Sequence, residues 1–326
     1  MNCLRLCAMA LALTSAGCAI RPLPEDFSGA PTDTIVQQIR CETRKAIIDS
    51  ALGWLTEDEN LERGQVDLYS RNVGLEFRNG RRIQEFRPEL FRGRVRNMVR
   101  LFFDTGIAYH FELQMTENND LTTEINLLKP APPFPQFDLG LNAGALRQRD
   151  NLRVFAVTDT FAKLIKLPDD YCDGSLVAKN YLYPITGNIG TKKLVQDFIN
   201  LTLFQALAGT GDPISGPPTL SDQLEFLTVL SGSASPKLTF APVTSGFGIV
   251  DASLMGSVKR SDRHKLTMAL AVAGPGAGLL PQTRNSIFYT PLLSARPRTN
   301  SEAAAAEAVN QVLTLRLFRP NITVAR

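Results

Sequence analysis

The sequence predicts an α+β fold, mainly antiparallel β, in which two β-meander units form a sandwich-like body with N-terminal, linking and C-terminal helices. Apolar residues recur at three- and four-residue spacing in four separate stretches and alternate at period two between them. The segment GALRQRDNL (144–152) also finds a gapless counterpart, GSVKRSDRH (256–264), 112 residues later. Both have a glycine, a basic residue and then a polar run with Asp in the seventh place, which reads either as duplicated meanders or as the chance likeness of two hairpins. A chain of 326 residues, 44% hydrophobic and 21% charged, can bury one large core or two modest ones. With 35 Lys and Arg against 32 Asp and Glu, it lacks the charge excess of a dedicated nucleic-acid binder, so no nucleic acid is expected as partner.

The N-terminus carries the most specific signal. After Arg5, LCAMALAL at 6–13 is an apolar block too short to span a bilayer and of the right length for a signal-peptide core. Ser15, Ala16 and Gly17 then lead into Cys18. This arrangement resembles the lipobox of bacterial lipoproteins, with Ser15 standing where the pattern usually has Leu. The resemblance implies a signal peptide at 1–17, cleavage before Cys18, and acylation of Cys18 by palmitate-type chains that make the membrane a partner. Ala19, rather than Asp, follows the cysteine, and by the same resemblance this favours the outer membrane, facing the periplasm. Plain secretory cleavage after Gly17 or Ala19, giving a soluble periplasmic or secreted protein, also satisfies the small-residue rule. A buried N-terminal helix is the remaining alternative.

Residues 18–32, with Pro22, Pro24 and Pro31, read as a tether, and 33–103 as a helical N-terminal region. Ile35, Ile39, Ala46, Ile47, Ala51 and Trp54 predict a helix over 34–55, and Phe91, Val95, Met98, Val99 and Phe102 a second over 88–103. Arg92, Arg96 and Arg100 recur on another face of that second helix, within the one clearly basic stretch of the chain. They are candidates for contact with an anionic surface, a solvated helix face being the plainer reading.

The first meander is expected over 104–165. Ile107, Tyr109, Phe111, Leu113 and Met115 alternate with polar or small residues, so one face should be buried and the other, with His110, wet. A turn at Asn118–Asn119–Asp120 is followed by alternating Leu121, Thr123, Ile125 and Leu127, then by strands from Phe137 and from Leu152. A linker with a helix (Leu194, Phe198, Leu201) occupies 166–220, and the second meander 221–274. The last segment, 275–326, is a loop and a helix, with Thr299 and Glu302 at capping-box spacing before an alanine run.

Of five cysteines, Cys3 and Cys7 leave with the signal and Cys18 takes the lipid. Cys41 and Cys172 remain, an even pair that in an oxidising compartment suggests a disulfide, two buried thiols being the alternative. His110 and His264, the two histidines, have no second imidazole at ligand spacing, so neither a metal nor a cofactor is expected. GNIGTKK (187–193) is read as a turn with Thr191 as N-cap rather than a phosphate loop, since it lacks the Walker spacing. The expected function is a non-catalytic structural or binding module for an envelope protein or cell-wall polymer. A periplasmic hydrolase with dispersed carboxylates would need a polar cleft, and a lipid carrier an apolar cavity.

Overall fold

The computed structural model describes residues 21–28, 30–129, 137–172, 184–203, 219–239, 248–272 and 299–317. The signal segment, Cys18, most of the break KPAPPFP and the loops GTGDPISGPP and GPGAGLLP lie outside the described residues.

The chain is α+β. Helix α1 spans Thr32–Thr56 and buries Ile35, Ile39, Ala46, Ile47, Ala51 and Trp54, the expected stripe, together with Leu55. Two helices follow that the sequence reading did not resolve individually, α2 (Asp58–Glu62) and α3 (Leu68–Arg78). Asp67 caps α3 by accepting from the Ser70 amide at 2.9 Å. Helix α4 (Gly93–Phe103) buries Val95, Val99, Phe102 and Phe103, and it starts later than residue 88 because Pro88–Leu90 forms a separate 3-10 turn. Gly93, at φ 51°, supplies the left-handed step between the two. Helix α5 (Phe161–Ile165) is capped by Thr160, α6 spans Thr191–Phe198 and runs into a π turn at Ile199–Leu203, and α7 spans Asn300–Leu317. The capping box of α7 forms as expected: Glu302 N donates to Thr299 Oγ1 at 3.2 Å and Thr299 N to the Glu302 carboxylate at 3.1 Å.

The strands are β1 (Gly106–Lys129), β2 (Phe137–Thr160), β3 (Thr219–Ala234), β4 (Lys237–Thr239) and β5 (Gly248–Ala271). They form one antiparallel sheet in the order β2-β1-β5-β3, with β4 also paired to β5. The strands of the two expected meanders therefore meet in a single sheet, because β1 and β5 pair with each other. The expected turn at Asn118–Asn119–Asp120 lies inside β1, and the matched segments 144–152 and 256–264 run through β2 and β5. A polar run becomes a turn only where its backbone lacks a ladder partner; here neighbours on both sides of β1 supply one.

The described residues divide into two compact units, one comprising those of 27–114, 152–228 and 262–317, the other those of 21–26, 115–151 and 229–261. In the first, helical unit both faces of the sheet are covered. On one parity Ile107, Tyr109, Phe111 and Leu113 are fully buried with Leu266, Met268 and Leu270, and Phe155 stacks on Phe111 at 4.7 Å. Phe86 joins Phe77, Phe91 and Phe103 at centroid distances of 5.1 to 5.7 Å in the helical layer. On the other parity Ala108, Ala269 and Ala271 pack against Ala305, Ala306, Ala308 and Val309 of α7. That face was expected to be wet, and His110 on it is buried instead, because the alanine-rich helix lies flat on the small strand residues. Gly106 sets the closest approach, since a Cβ there would overlap the Ser301 carbonyl.

Cys41 and Cys172 are joined in a disulfide, with Cα atoms 5.5 Å apart. The same stripe of α1 holds the segment around Tyr171 by other means. Gln37 donates to the Tyr171 carbonyl at 2.6 Å, Arg40 to the Tyr171 hydroxyl at 2.7 Å, and Arg44 to Asp169 at 2.8 Å.

Two outcomes test this packing. Gly106→Ala should lower the unfolding free energy by about 1–3 kcal/mol, the usual cost of overpacking, as read in urea titrations. Replacing both Cys41 and Cys172 by Ser should cost about 2–5 kcal/mol in the same measurement, while a protein already reduced should show no further loss.

Candidate functional site

The polar groups of the helical unit are turned inward on one another. Arg40 forms a two-pronged pair with Asp159 (2.8 and 3.0 Å), and Asp159 is buried. Burial, with Asp159 adding to it, pushes the Tyr109 phenol far above its ordinary range, so it stays protonated. Lys163 pairs with the fully buried Glu302. The GNIGTKK segment is not capped by Thr191, which is the first helical residue; Gly190, at φ 84°, precedes it. Glu42 of α1 instead accepts the amides of Ile189, Gly190 and Thr191 at 2.9, 2.8 and 2.7 Å, so the protein's own carboxylate fills the anion position at this helix start. Sequence reasoning missed this because the cap comes from a distant helix.

The candidate residues otherwise fall as follows. Arg92 lies over the Tyr69 ring at 3.9 Å, and Arg96 donates to the Phe91 carbonyl at 2.9 Å. Both therefore have intramolecular roles, while Arg100 stands near Asp104 on the exposed side of α4. His110 and His264 are buried, His110 with Glu112 at 3.7 Å. Among the described residues no cluster of three His, Cys, Asp or Glu is placed to hold a metal.

The second unit differs in kind. Asn126 donates to Asp251 at 2.7 Å and Ser257 to Asp120 at 3.4 Å, so β5 descends as β1 ascends. Arg149 meets Glu117 at 2.9 Å and Gly140 lies against Asn126, so β2 runs antiparallel to β1 on its other side. Strand β4 pairs Leu238 with Ala252 and Thr239 with Asp251. These pairings sort the side chains by face. One face carries Leu121, Thr123, Ile125 and Leu127 of β1, Leu139, Leu141, Ala143 and Ala145 of β2, Ala252, Leu254, Gly256 and Val258 of β5, and Leu238 of β4. The opposite face carries Asn118, Asp120, Thr122, Glu124 and Asn126, then Asn142, Gln148 and Asp150, then Asp251, Ser253, Ser257 and Lys259, with Leu146 and Met255 as its apolar exceptions.

An alternating pattern normally marks a strand with its apolar side in a core, which was the expectation for 121–127. Here the apolar side is open: Leu121 is 48% exposed, Leu141 49%, Leu254 44% and Leu238 64%. A contiguous apolar surface of this kind is a contact surface by default. It ends at a charged row on the same face, formed by Glu117, Arg147, Arg149 and Arg260. Beside that row the tether is fastened: Asn151 donates to the Pro22 carbonyl at 2.8 Å and Arg260 to the Leu23 carbonyl at 2.6 Å, with Asp26 at 3.9 Å from Arg260.

On the polar face the hydrogen bond from Asn126, then that from Lys237, hold the Asp251 carboxyl below its ordinary value. Asn126→Ala should therefore move the Asp251 titration midpoint upward, as followed by carboxyl NMR; an unchanged midpoint would show that the contact has no effect.

Fold and surface thus define a class: an α+β protein whose helical unit has a closed core while the strands of its second unit separate an apolar from a polar face. Comparison with known sequences makes the assignment particular. The chain belongs to the family described as uncharacterised protein y4kA, whose model matches residues 21–279. Uncharacterized protein y4kA of Sinorhizobium fredii (strain NBRC 101917 / NGR234) is 32% identical over 278 residues, covering 81% of this chain and 82% of that one. Among solved structures, the InvG secretin domain β-barrel from the Salmonella SPI-1 injectisome NC-base covers 67% of this chain and 72% of its own at 9% identity. Its TM-score is 0.14, too low to bear on fold or function.

Proposed function

We propose that this protein is a non-catalytic envelope lipoprotein, anchored through Cys18 in the outer membrane and facing the periplasm, whose sheet inserts its apolar face into the bilayer. The observation that carries the reading is the exposed apolar face of the second unit, backed by a largely polar one. In this reading the partner is the lipid phase rather than an envelope protein or a cell-wall polymer.

Dimensions and charge support it. A membrane-spanning strand needs about 9–11 residues, and the stretches of β1 and β2 above the charged row, 118–128 and 137–146, match that. The charged row at Glu117, Arg147, Arg149 and Arg260 falls where headgroups would begin, below the apolar band. The anchor fits the same level: Cys18 is four residues ahead of Pro22, at most about 14 Å of extended chain from the fastened tether.

The lipid and the sheet are separable by experiment. Radiolabelled palmitate should enter the wild-type chain and not Cys18→Ala; equal labelling of both, or of neither, removes the lipoprotein assignment. Cys18→Ala should nevertheless stay with membranes through an alkaline wash. Adding Leu121→Lys, near the edge of the band at about 0–1 kcal/mol, with Leu141→Lys and Leu254→Lys, near its middle at about 2–4 kcal/mol each, should release it. Release of Cys18→Ala alone would overturn insertion.

A further inference from the structure

We infer that copies of this chain join edge to edge, β2 of one to the β3–β4 edge of the next, into a closed transmembrane β-barrel whose lumen is lined by the polar face. The inference rests on the insertion proposed above and commits to a second copy of this chain as the occupant of each open edge.

Three observations lead there. First, among the described residues the sheet order β2-β1-β5-β3 leaves β2 and β3 as edges. In water an exposed edge is tolerable, but in hydrocarbon each unpaired amide or carbonyl costs several kcal/mol, so an inserted sheet must close. Second, four strands are too few to close on themselves, since barrels of this kind begin at about eight. Third, the edges match. Strands alternate in direction across an antiparallel sheet of four, so β2 and β3 run in opposite senses. Laying β2 of one copy beside β3 of another therefore continues the antiparallel alternation without a break. The contact is head-to-tail, the type that generates a ring. Within the second unit its partners are residues 137–151 of β2 against 229–234 of β3 continued by Lys237–Thr239, and Pro236 turns its backbone toward β5, where its carbonyl accepts from Leu254 N at 3.1 Å.

The faces remain consistent around such a ring. Leu139, Leu141, Ala143 and Ala145 at one edge and Leu238 at the other point to the same side as Leu121 and Leu254. The whole apolar face therefore turns outward and the whole polar face inward. Among the described residues each copy brings Asp120, Glu124, Asp150 and Asp251 to the lumen against Lys237 and Lys259. That excess of carboxylates makes the lumen a path for cations in preference to anions. The strand count of the ring is a multiple of four, from at least two copies.

Cysteine pairs across the expected seam test the ring in native membranes. Glu225 reaches Arg263 and Lys265 on the polar parity of β5, so Ser231 and Ser233 share that face, as does Thr239 opposite Asp251. Asn142→Cys combined in one chain with Ser231→Cys, Ser233→Cys or Thr239→Cys therefore places both thiols on the lumen face, and oxidation of at least one pair should give a ladder of multimers. Each single variant should stay monomeric. No ladder from any pair, with alkaline-wash retention intact, overturns the ring and leaves insertion standing; loss of retention by Cys18→Ala overturns insertion itself. Purified rings in planar bilayers should conduct with cation selectivity, and Asp120→Asn with Glu124→Gln should lower the cation-to-anion permeability ratio. Cross-linked rings that conduct nothing overturn the lumen.

Discussion

The pairing of β1 with both β2 and β5 is the constraint on which everything else depends. It joins strands more than a hundred residues apart in sequence and makes one sheet where two separate meanders were expected. It also sets the register that sorts side chains by face. Asn126 opposite Asp251 and Glu117 opposite Arg149 are pairs in which a one-residue slip would send every side chain of β1 to the wrong side. With that register in place, the same parity of β1 that is fully buried at Ile107, Tyr109 and Phe111 comes out into the open at Leu121 and beyond.

Within the helical unit the sheet is held by two different kinds of contact. One side uses large aromatic and aliphatic groups, with Phe111 and Phe155 stacked and a phenylalanine cluster among the helices. The other uses alanines and one glycine, which bury little area per residue but let α7 lie close to the strands. Covalent and ionic fastening from α1 to the segment around Tyr171 completes this unit. Among its described residues Arg40 with Asp159, Lys163 with Glu302, and Glu42 with the amides at the start of α6 are internal pairings, and the functional reading rests on the exposed sheet of the other unit.

Local features were legible in the sequence and long-range ones were not. The stripe of α1 and the Thr299–Glu302 box each depend on residues within a turn or two of one another, and both appear as read. The Cys41–Cys172 pair was accessible by elimination, because the expected compartment and the expected loss of Cys3, Cys7 and Cys18 left an even pair of thiols. Alternation correctly sorted Leu121, Thr123, Ile125 and Leu127 from their polar neighbours. It carries no information about which strand lies alongside, nor about whether the apolar side meets a core. Asn118–Asn119–Asp120 misled for the same reason: turn composition is a statement about an unpaired backbone, and the ladder overrides it. His110 and the Glu42 cap were invisible because what covers or contacts each comes from a distant part of the chain.

The charged row at the foot of the apolar face has one more consequence. In the proposed insertion, because strands repeat every two residues, the sheet would have a fixed waterline rather than settle at arbitrary heights. Moving β1 by one repeat, roughly 6.6 Å along the strand, would either drown the Glu117–Arg149 pair in hydrocarbon or lift Leu121 into water. On that proposal draught would be built into the covalent sequence of the strand rather than left to the bilayer, and a chain fastened at Pro22 and Leu23 beside that line would float level with it.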